Sequence, residues 1–320
     1  MIEHDCPAAR LPERNHYLDR VGPTPLVQVQ LDAGGPAIWC KLEFLNPSGS
    51  TKDRIAHFIL GKALRTGEVR PGGTVVEASS GSTSIAMALA SAQMGLHFIA
   101  VMPESVSEER RLIITAFGAE VVLTPRAEGV AGALAGASRL ARERAAFLPH
   151  QFTNPDNAAA HRYGTAREVI GQIPGGSVDA VVSGVGTGGT LVGLCRGFED
   201  FGCRPVAFAA RPVAGVGSVV GGGAECCSFS GRIPGVVDGL SSLYAEFRQG
   251  PVVEVDVDDG EALDLTRRLI ARGFPVGPSS GLNFRAAIEA AARLGPDARI
   301  VTVFPDRMER YFSTELFRRG

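Results

Sequence analysis

The feature that most limits how this chain can fold is a regular exchange of short apolar runs with longer segments of helical periodicity. Apolar runs at 74–78, 96–102 and 120–123 alternate with helical patterns at about 83–94, 107–117 and 128–146. A second series has runs at 178–183, 206–209, 252–257 and 300–304, with helical patterns near 189–200, 260–272 and 282–294. Strand followed by helix followed by strand makes a parallel sheet covered by helices. Since single cores stop growing near about 250–300 residues, the 320 residues are read as an α/β protein of two doubly wound lobes. Two leading strands, at 27–30 and 37–42, come first, and Pro23 and Pro25 exclude a helix ahead of them. Residues 151–174 read as one further helical stretch. Ser105 and Glu108 have the spacing of a capping box for the helix at 107. The glycine-rich segment 211–239 has no clear period and reads as a functional loop.

Composition narrows the partners. With 45% hydrophobic and 21% charged residues a packed core is expected, and a net charge of −2 gives no electrostatic reason to bind nucleic acid or an anionic membrane. No window is long and apolar enough to span a bilayer, and the polar start Met1-Ile2-Glu3-His4-Asp5 lacks the regions of a signal peptide, so a cytoplasmic protein is expected. The six cysteines form no Cys-x-x-Cys pair and read as reduced thiols; the six histidines are scattered, and no metal site is expected.

The chemistry gathers where strands give way to helices. Lys52 stands in the turn Asn46-Pro47-Ser48-Gly49-Ser50-Thr51-Lys52-Asp53-Arg54, between the apolar run 37–42 and a helical pattern at Ile55, Phe58, Ile59 and Ala63. Free peptide N–H groups and the positive end of the helix dipole disfavour a second positive charge there, lowering the amine's pKa and suiting a Schiff-base lysine; a solvated helix start is the plain alternative. Ser183 to Thr190 contains Gly184, Gly186 and Gly189 at Gly-x-Gly-x-x-Gly spacing, a setting for a phosphate at a helix N-terminus. A nicotinamide dinucleotide would want an acidic residue after the next strand, where Ala209-Ala210-Arg211 stands, so a phosphate monoester matches better. Glu77-Ala78-Ser79-Ser80-Gly81-Ser82-Thr83-Ser84 offers hydroxyls and N–H groups to a carboxylate, or simply caps a helix. Gly277-Pro278-Ser279-Ser280-Gly281 is a third such turn.

In this order the motifs resemble the cysteine synthase and cystathionine β-synthase family of pyridoxal-phosphate enzymes. The resemblance runs from Gly22-Pro23-Thr24-Pro25-Leu26 through Lys41-Leu42-Glu43-Phe44-Leu45-Asn46-Pro47, Lys52-Asp53-Arg54 and Met102-Pro103-Glu104. It continues through Gln151-Phe152-Thr153-Asn154-Pro155, Gly186-Thr187-Gly188-Gly189-Thr190 and Ser279-Ser280-Gly281 to Pro305-Asp306-Arg307-Met308-Glu309-Arg310-Tyr311, nearly the whole chain.

The resemblance implies the tryptophan synthase β-like architecture, fold type II. A smaller mobile lobe would span 50–158 and a larger one 1–49 with 159–320, the cofactor lying in the cleft between them. Lys52 would carry pyridoxal 5'-phosphate and later move the Cα proton. Gly186, Thr187, Gly188, Gly189 and Thr190 would hold the phosphate, and Ser279 would face the pyridine nitrogen. Ser79, Ser80, Thr83 and Gln151 would hold the substrate carboxylate. Ser82 stands where the family places an asparagine that reaches the cofactor's ring hydroxyl, and Asp238 stands where an apolar or small residue is commoner. The activity implied is β-elimination and β-replacement on a β-substituted L-alanine through an aminoacrylate, making cysteine from an activated serine and sulfide. The alternative is a lyase that releases hydrogen sulfide from L-cysteine and adds water or another nucleophile, with Asp238 as general base. A catalytically idle ligand-binding relative and a nicotinamide oxidoreductase are the alternatives of other classes. A small amino-acid substrate and a homodimer are the implied partners.

Overall fold

The structure is a computed structural model that describes residues 17–79, 81–213, 232–236 and 240–318. Among these, nine strands form two sheets. The strands are β1 (Leu26–Val29), β2 (Ile38–Lys41), β3 (Thr74–Ala78), β4 (His97–Pro103), β5 (Glu120–Thr124), β6 (Ala180–Gly184), β7 (Val206–Val213), β8 (Val252–Asp258) and β9 (Ile300–Val303). The larger sheet has the order β1-β2-β9-β6-β7-β8, antiparallel only between β1 and β2; the smaller is the parallel β3-β4-β5. Phe147 bridges the free edge of β3, exchanging backbone bonds with Thr74 and Val76.

Each parallel strand is apolar on both faces because helices cover both. The helices are α1 (Lys52–Thr66), α2 (Ser82–Met94), α3 (Glu108–Ala116), α4 (Gly129–Glu143), α5 (Asp156–Ala160), α6 (Ala166–Gln172), α7 (Gly189–Glu199), α8 (Ser242–Phe247), α9 (Asp259–Ala271) and α10 (Pro278–Leu294). Successive side chains of a strand point to opposite faces. So Ala180 and Val182 of β6 pack with Leu265 and Leu269 of α9 and Phe284 and Ala287 of α10, while Val181 packs with Val169 of α6 and Leu191 and Leu194 of α7. In the smaller sheet Phe98 and Ala100 face α1 and α2, while Ile99 and Val101 face Ala133 and Ala137 of α4. This is the doubly wound α/β arrangement expected of the strand-and-helix alternation.

Several local expectations are corrected. The last long helix begins at Pro278, not near 282, because proline is favoured in a helix's first turn, where its missing N–H is not needed; Ser279 and Ser280 are therefore helical. The capping box does not form: α3 starts at Glu108 with Ser107 as N-cap, since a turn from Pro103 to Val106 buries Val106 first. The stretch at 151–174 is helical only from Asp156, as a turn at His150 precedes it and a π-helical turn, His161–Thr165, interrupts it. The helix at 128–146 stops at Glu143, with Ala145 in the left-handed region. Residues 211–213 extend β7 rather than opening the loop; 214–231 and 237–239, with Asp238, lie outside the described residues, as does Ser80.

A buried ionic cluster ties α1 to the larger sheet. Arg54 donates to both carboxylate oxygens of Glu43 (2.5 and 2.7 Å) and to both of Glu168 (2.6 and 2.8 Å). Lys41 of β2 pairs with Glu168 at 2.8 Å and donates to Gln172 and to the Thr24 carbonyl. Arg54, Glu43 and Lys41 have almost no exposed side-chain area. Burial by itself would raise the Glu43 carboxyl, but Arg54 and the Thr24 hydroxyl overcome it and hold the group at about 2, below its ordinary 4.5. A depressed carboxyl contributes stability above its ordinary value and loses it as pH falls through the folded one. Arg54→Met is therefore expected to destabilise the protein by about 3–5 kcal/mol at pH 7 through the uncompensated carboxylate, measured by urea unfolding. The loss relative to wild type should shrink as pH falls from about 4.5 toward 2.

Candidate active site

Four helices, α1, α2, α7 and α10, begin at one cleft, which the last residues of β3, β6 and β9 (Ala78, Gly184 and Val303) also line. None of the four has a side-chain N-cap. The first N–H groups of α1 are taken up by the Ser50 hydroxyl and the Ser50 and Thr51 carbonyls, so it is the positive dipole ends of the four that make the cleft a place for anions.

Lys52 is the first residue of α1, as its flanking pattern predicted, and it lines the cleft. The turn before it is strapped to the segment after β9. Thr51 N–H donates to the Pro305 carbonyl, Arg307 N–H to Gly49, and the Arg310 guanidinium to the Ser48 and Gly49 carbonyls. Gly49 is held at φ 84°, and a Cβ there would lie 2.7 Å from Arg307 Cδ, so the strap requires glycine. The Lys52 amine titrates below its ordinary value because burial penalises its charge, with Asp306 acting in the opposite sense. Burial is thus the principal cause of the shift.

Asp306 was not singled out from the sequence. Its Oδ2 accepts from the Ser82 hydroxyl at 2.9 Å and from the Tyr311 hydroxyl at 2.8 Å, and it is 6% exposed. Tyr311 in turn lies under the Arg110 guanidinium, 5.4 Å from the ring centroid. The signal for it was a carboxylate directly after the strand at 300–304, within a quoted motif. Ser82, expected near the cofactor, does line the cleft, but its hydroxyl proton is directed to Asp306.

Ser79, Thr83 and Gln151 meet on one wall. Thr83 donates to the Gln151 side-chain oxygen at 2.8 Å, and the Gln151 amide donates to the Ala78 carbonyl at 2.8 Å. Ser79 Oγ accepts from Gly81 N–H at 3.2 Å. Across the cleft, the turn 184–189 is glycine-rich for reasons of packing as well as access. A Cβ at Gly186 would stand 2.2 Å from the Gly235 carbonyl and one at Gly189 only 1.9 Å from Asn157 Oδ1. Asn157 Nδ2 donates to Thr187 Oγ1 at 2.9 Å, which leaves the Thr187 hydroxyl proton free to point at a ligand. Gly188 is the uncapped start of α7, and Thr190 lines the cleft within its first turn. Ser279, in the first turn of α10, faces the same space. Lys52, Ser79, Ser82, Thr83, Gln151, Gly186, Thr187, Gly188, Thr190 and Ser279 are thus brought to one cleft, with Gly189 beside it.

A cleft of uncapped helix starts around an amine with a lowered pKa is the setting of a Schiff-base enzyme with a phosphorylated cofactor. Residues 17–306 match the family described as pyridoxal-phosphate dependent enzyme, and the chain belongs to it. Within that family it is of the cysteine synthase type. It is 37% identical over 309 residues to the cysteine synthase of Staphylococcus aureus, covering 93% of this chain and 95% of the relative. Among solved structures it is similar to a hydrogen sulfide-producing enzyme of Fusobacterium nucleatum (TM-score 0.85, 35% identity, 95% of this chain and 92% of that one). It is likewise similar to the O-acetylserine dependent cystathionine beta-synthase of Helicobacter pylori (TM-score 0.83, 32% identity, 94% and 98%). The residues fit pyridoxal phosphate: an uncapped α7 start and the free Thr187 proton suit the phosphate, and Lys52 suits its aldehyde. Among the described residues no helix is long and apolar enough to cross a membrane.

Asp306 is the anion that supports the Lys52 ammonium form, which makes a direct test available. In the cofactor-free protein, Asp306→Asn should move the Lys52 pKa further down, so that an amine-reactive reagent labels Lys52 severalfold faster at pH 7 than in wild type. An unchanged rate of labelling, read by peptide mass spectrometry across pH, would remove Asp306 from this role.

Proposed function

We propose that the enzyme carries out β-replacement on a β-substituted L-alanine, cysteine synthase-like, taking an activated serine and sulfide to cysteine. The observation that carries this reading is the convergence of four helix starts without side-chain caps on the cleft that Lys52 lines, which supports a phosphate site, a carboxylate site and a nucleophilic amine in one place. In this reading Lys52 holds the cofactor, and Gly186, Thr187, Gly188, Gly189 and Thr190 bind its phosphate. The bound cofactor supplies an electron sink for the substrate's Cα.

The chain's own groups do the rest. Ser79, Ser80, Thr83 and Gln151 fix the substrate carboxylate and so aim the Cα–H bond at Lys52. The Lys52 amine, whose charged form burial disfavours, takes the Cα proton and returns it to the product. Ser279 offers a neutral hydroxyl rather than a carboxylate to the pyridine nitrogen, which moderates the electron sink and suits elimination of a β-substituent. The unit 50–158 closes on the bound carboxylate and keeps water from the reacting carbons. Ser82 with Asp306 and Arg110 with Tyr311 both join this unit to the segment after β9 at the cleft. A homodimer is the assembly that accompanies the reading.

The second reading is release of hydrogen sulfide from L-cysteine. What favours it is a carboxylate inside the cleft, Asp306, which would repel hydrosulfide and could orient water; Asp238 is the further candidate for general base. A form of the similar hydrogen sulfide-producing enzyme is an aspartate-to-asparagine mutant complexed with an alpha-aminoacrylate intermediate.

Borohydride treatment of the cofactor-loaded protein should fix the cofactor to the peptide that contains Lys52, and Lys52→Ala should abolish both this and turnover. O-acetylserine with sulfide should then yield cysteine at a rate at least tenfold above sulfide release from cysteine alone. If cysteine alone yields sulfide with serine or pyruvate faster, and Asp238→Asn slows that reaction, the lyase reading replaces the synthase one.

A further inference from the structure

We propose that Glu77 of β3 is a positioning residue for substrate binding, acting through Gln151. The proposal rests on the reading that Gln151 holds the substrate carboxylate. Glu77 is 1% exposed and does not reach the cleft. Its Oε1 accepts the Ala78 N–H at 2.9 Å and its Oε2 the Gln151 N–H at 3.1 Å, across 74 positions of sequence. Ala78 and Gln151 are also the pair joined by the Gln151 side-chain amide. One carboxylate therefore holds both ends of the link that presents the Gln151 side chain to Thr83 and the cleft.

Gln151 needs such a hold. His150, directly before it, sits at φ 56°, in the left-handed region that side-chain-bearing residues avoid. The backbone leaves this turn with the Gln151 carbonyl accepting from Asn157 Nδ2 at 2.7 Å, and the same amide donates to Thr187 of the phosphate turn. A displacement at Glu77 thus reaches the carboxylate wall first and the phosphate turn second.

Nothing charged offsets the burial of this carboxyl. Of the facing elements, α2 has no titratable group, β4 only the exposed His97, α4 the exposed Arg139, Arg142 and Glu143, and the adjoining turn the exposed His150; α1 carries Lys52, Asp53, Arg54, His57, Lys62 and Arg65, none of which is among the causes that move Glu77. Burial pushes Glu77 up to about 7, against the opposing pull of the two N–H bonds. Once protonated, one of its oxygens becomes a hydroxyl and a poor acceptor, so an N–H bond weakens and Gln151 loses its fixed place.

The test compares wild type, Glu77→Gln, Glu77→Asp and Gln151→Ala as cofactor-loaded enzymes from pH 6 to 8.5. Wild-type KM for the amino-acid substrate should rise as pH falls through about 7 with kcat little changed. Glu77→Gln should raise KM about tenfold, as expected for a lost charge-assisted hydrogen bond, with no acid limb, and should speed hydrogen exchange in the peptide spanning 147–155. Glu77→Asp keeps the charge with a shorter reach, so it should raise KM and retain the acid limb, which serves if the glutamine variant fails to fold. A folded-state pKa above the ordinary 4.5 means that Glu77 favours the fold at low pH and loses that contribution as pH rises through about 7. Glu77→Gln should therefore melt above wild type at pH 8 and converge with it toward pH 5, a variant that is more stable yet binds substrate less well. Wild-type KM in Glu77→Gln and Glu77→Asp, beside a raised KM in Gln151→Ala, overturns the proposal. Wild-type KM in Gln151→Ala overturns instead the reading of Gln151 on which it rests.

Discussion

Four helix N-termini opening on one cleft without side-chain caps set the terms for everything else in this molecule. Each puts a partial positive charge at its end, and although the first-turn N–H groups of α1 are taken up by Ser50 and Thr51, so many dipole ends at one place favour anions there. A phosphorylated cofactor and an amino-acid carboxylate are such anions. Burial in the same cleft makes the Lys52 ammonium unfavourable. One cleft thus serves anion binding and the buried amine, with β3, β6 and β9 ending where these helices begin.

An arrangement of that kind has to be held still against its own repulsions. The buried cluster of Arg54, Glu43, Glu168 and Lys41 does so for α1, since each carboxylate there is matched by a guanidinium or ammonium at hydrogen-bonding distance. Replacing any one partner leaves a charge in a dry interior, which is why such clusters specify geometry more than they add stability. On the other side the strap from Pro305 to Arg310 fixes the turn before Lys52 and brings Asp306 into the cleft as the counter-charge. The lysine is placed by its neighbours on both sides rather than by α1 alone.

Ser82, which the resemblance places beside the cofactor, has a structural role of its own. A short hydroxyl engages Asp306, and with Arg110 over Tyr311 it joins the two sheets at the mouth of the cleft. A residue expected to touch the cofactor thereby becomes part of the connection between the two halves of the fold.

By itself the sequence determined the order and type of the nine strands, the turn that presents Lys52 and the glycine turn before α7. These depend on periodicity and on the backbone freedom of residues close together in the chain. It misplaced the start of α10 and the cap of α3, where Pro278 and the burial of Val106 outweighed a spacing rule. Only the tertiary structure decided the pairing of Ser82 with Asp306 across 224 positions and of Glu77 with Gln151 across 74. No local pattern foretells which carboxylate will meet which hydroxyl or N–H group. That is fixed by how two separately wound sheets pack around the cleft, and so the supports of the site became visible only once its parts had been brought together.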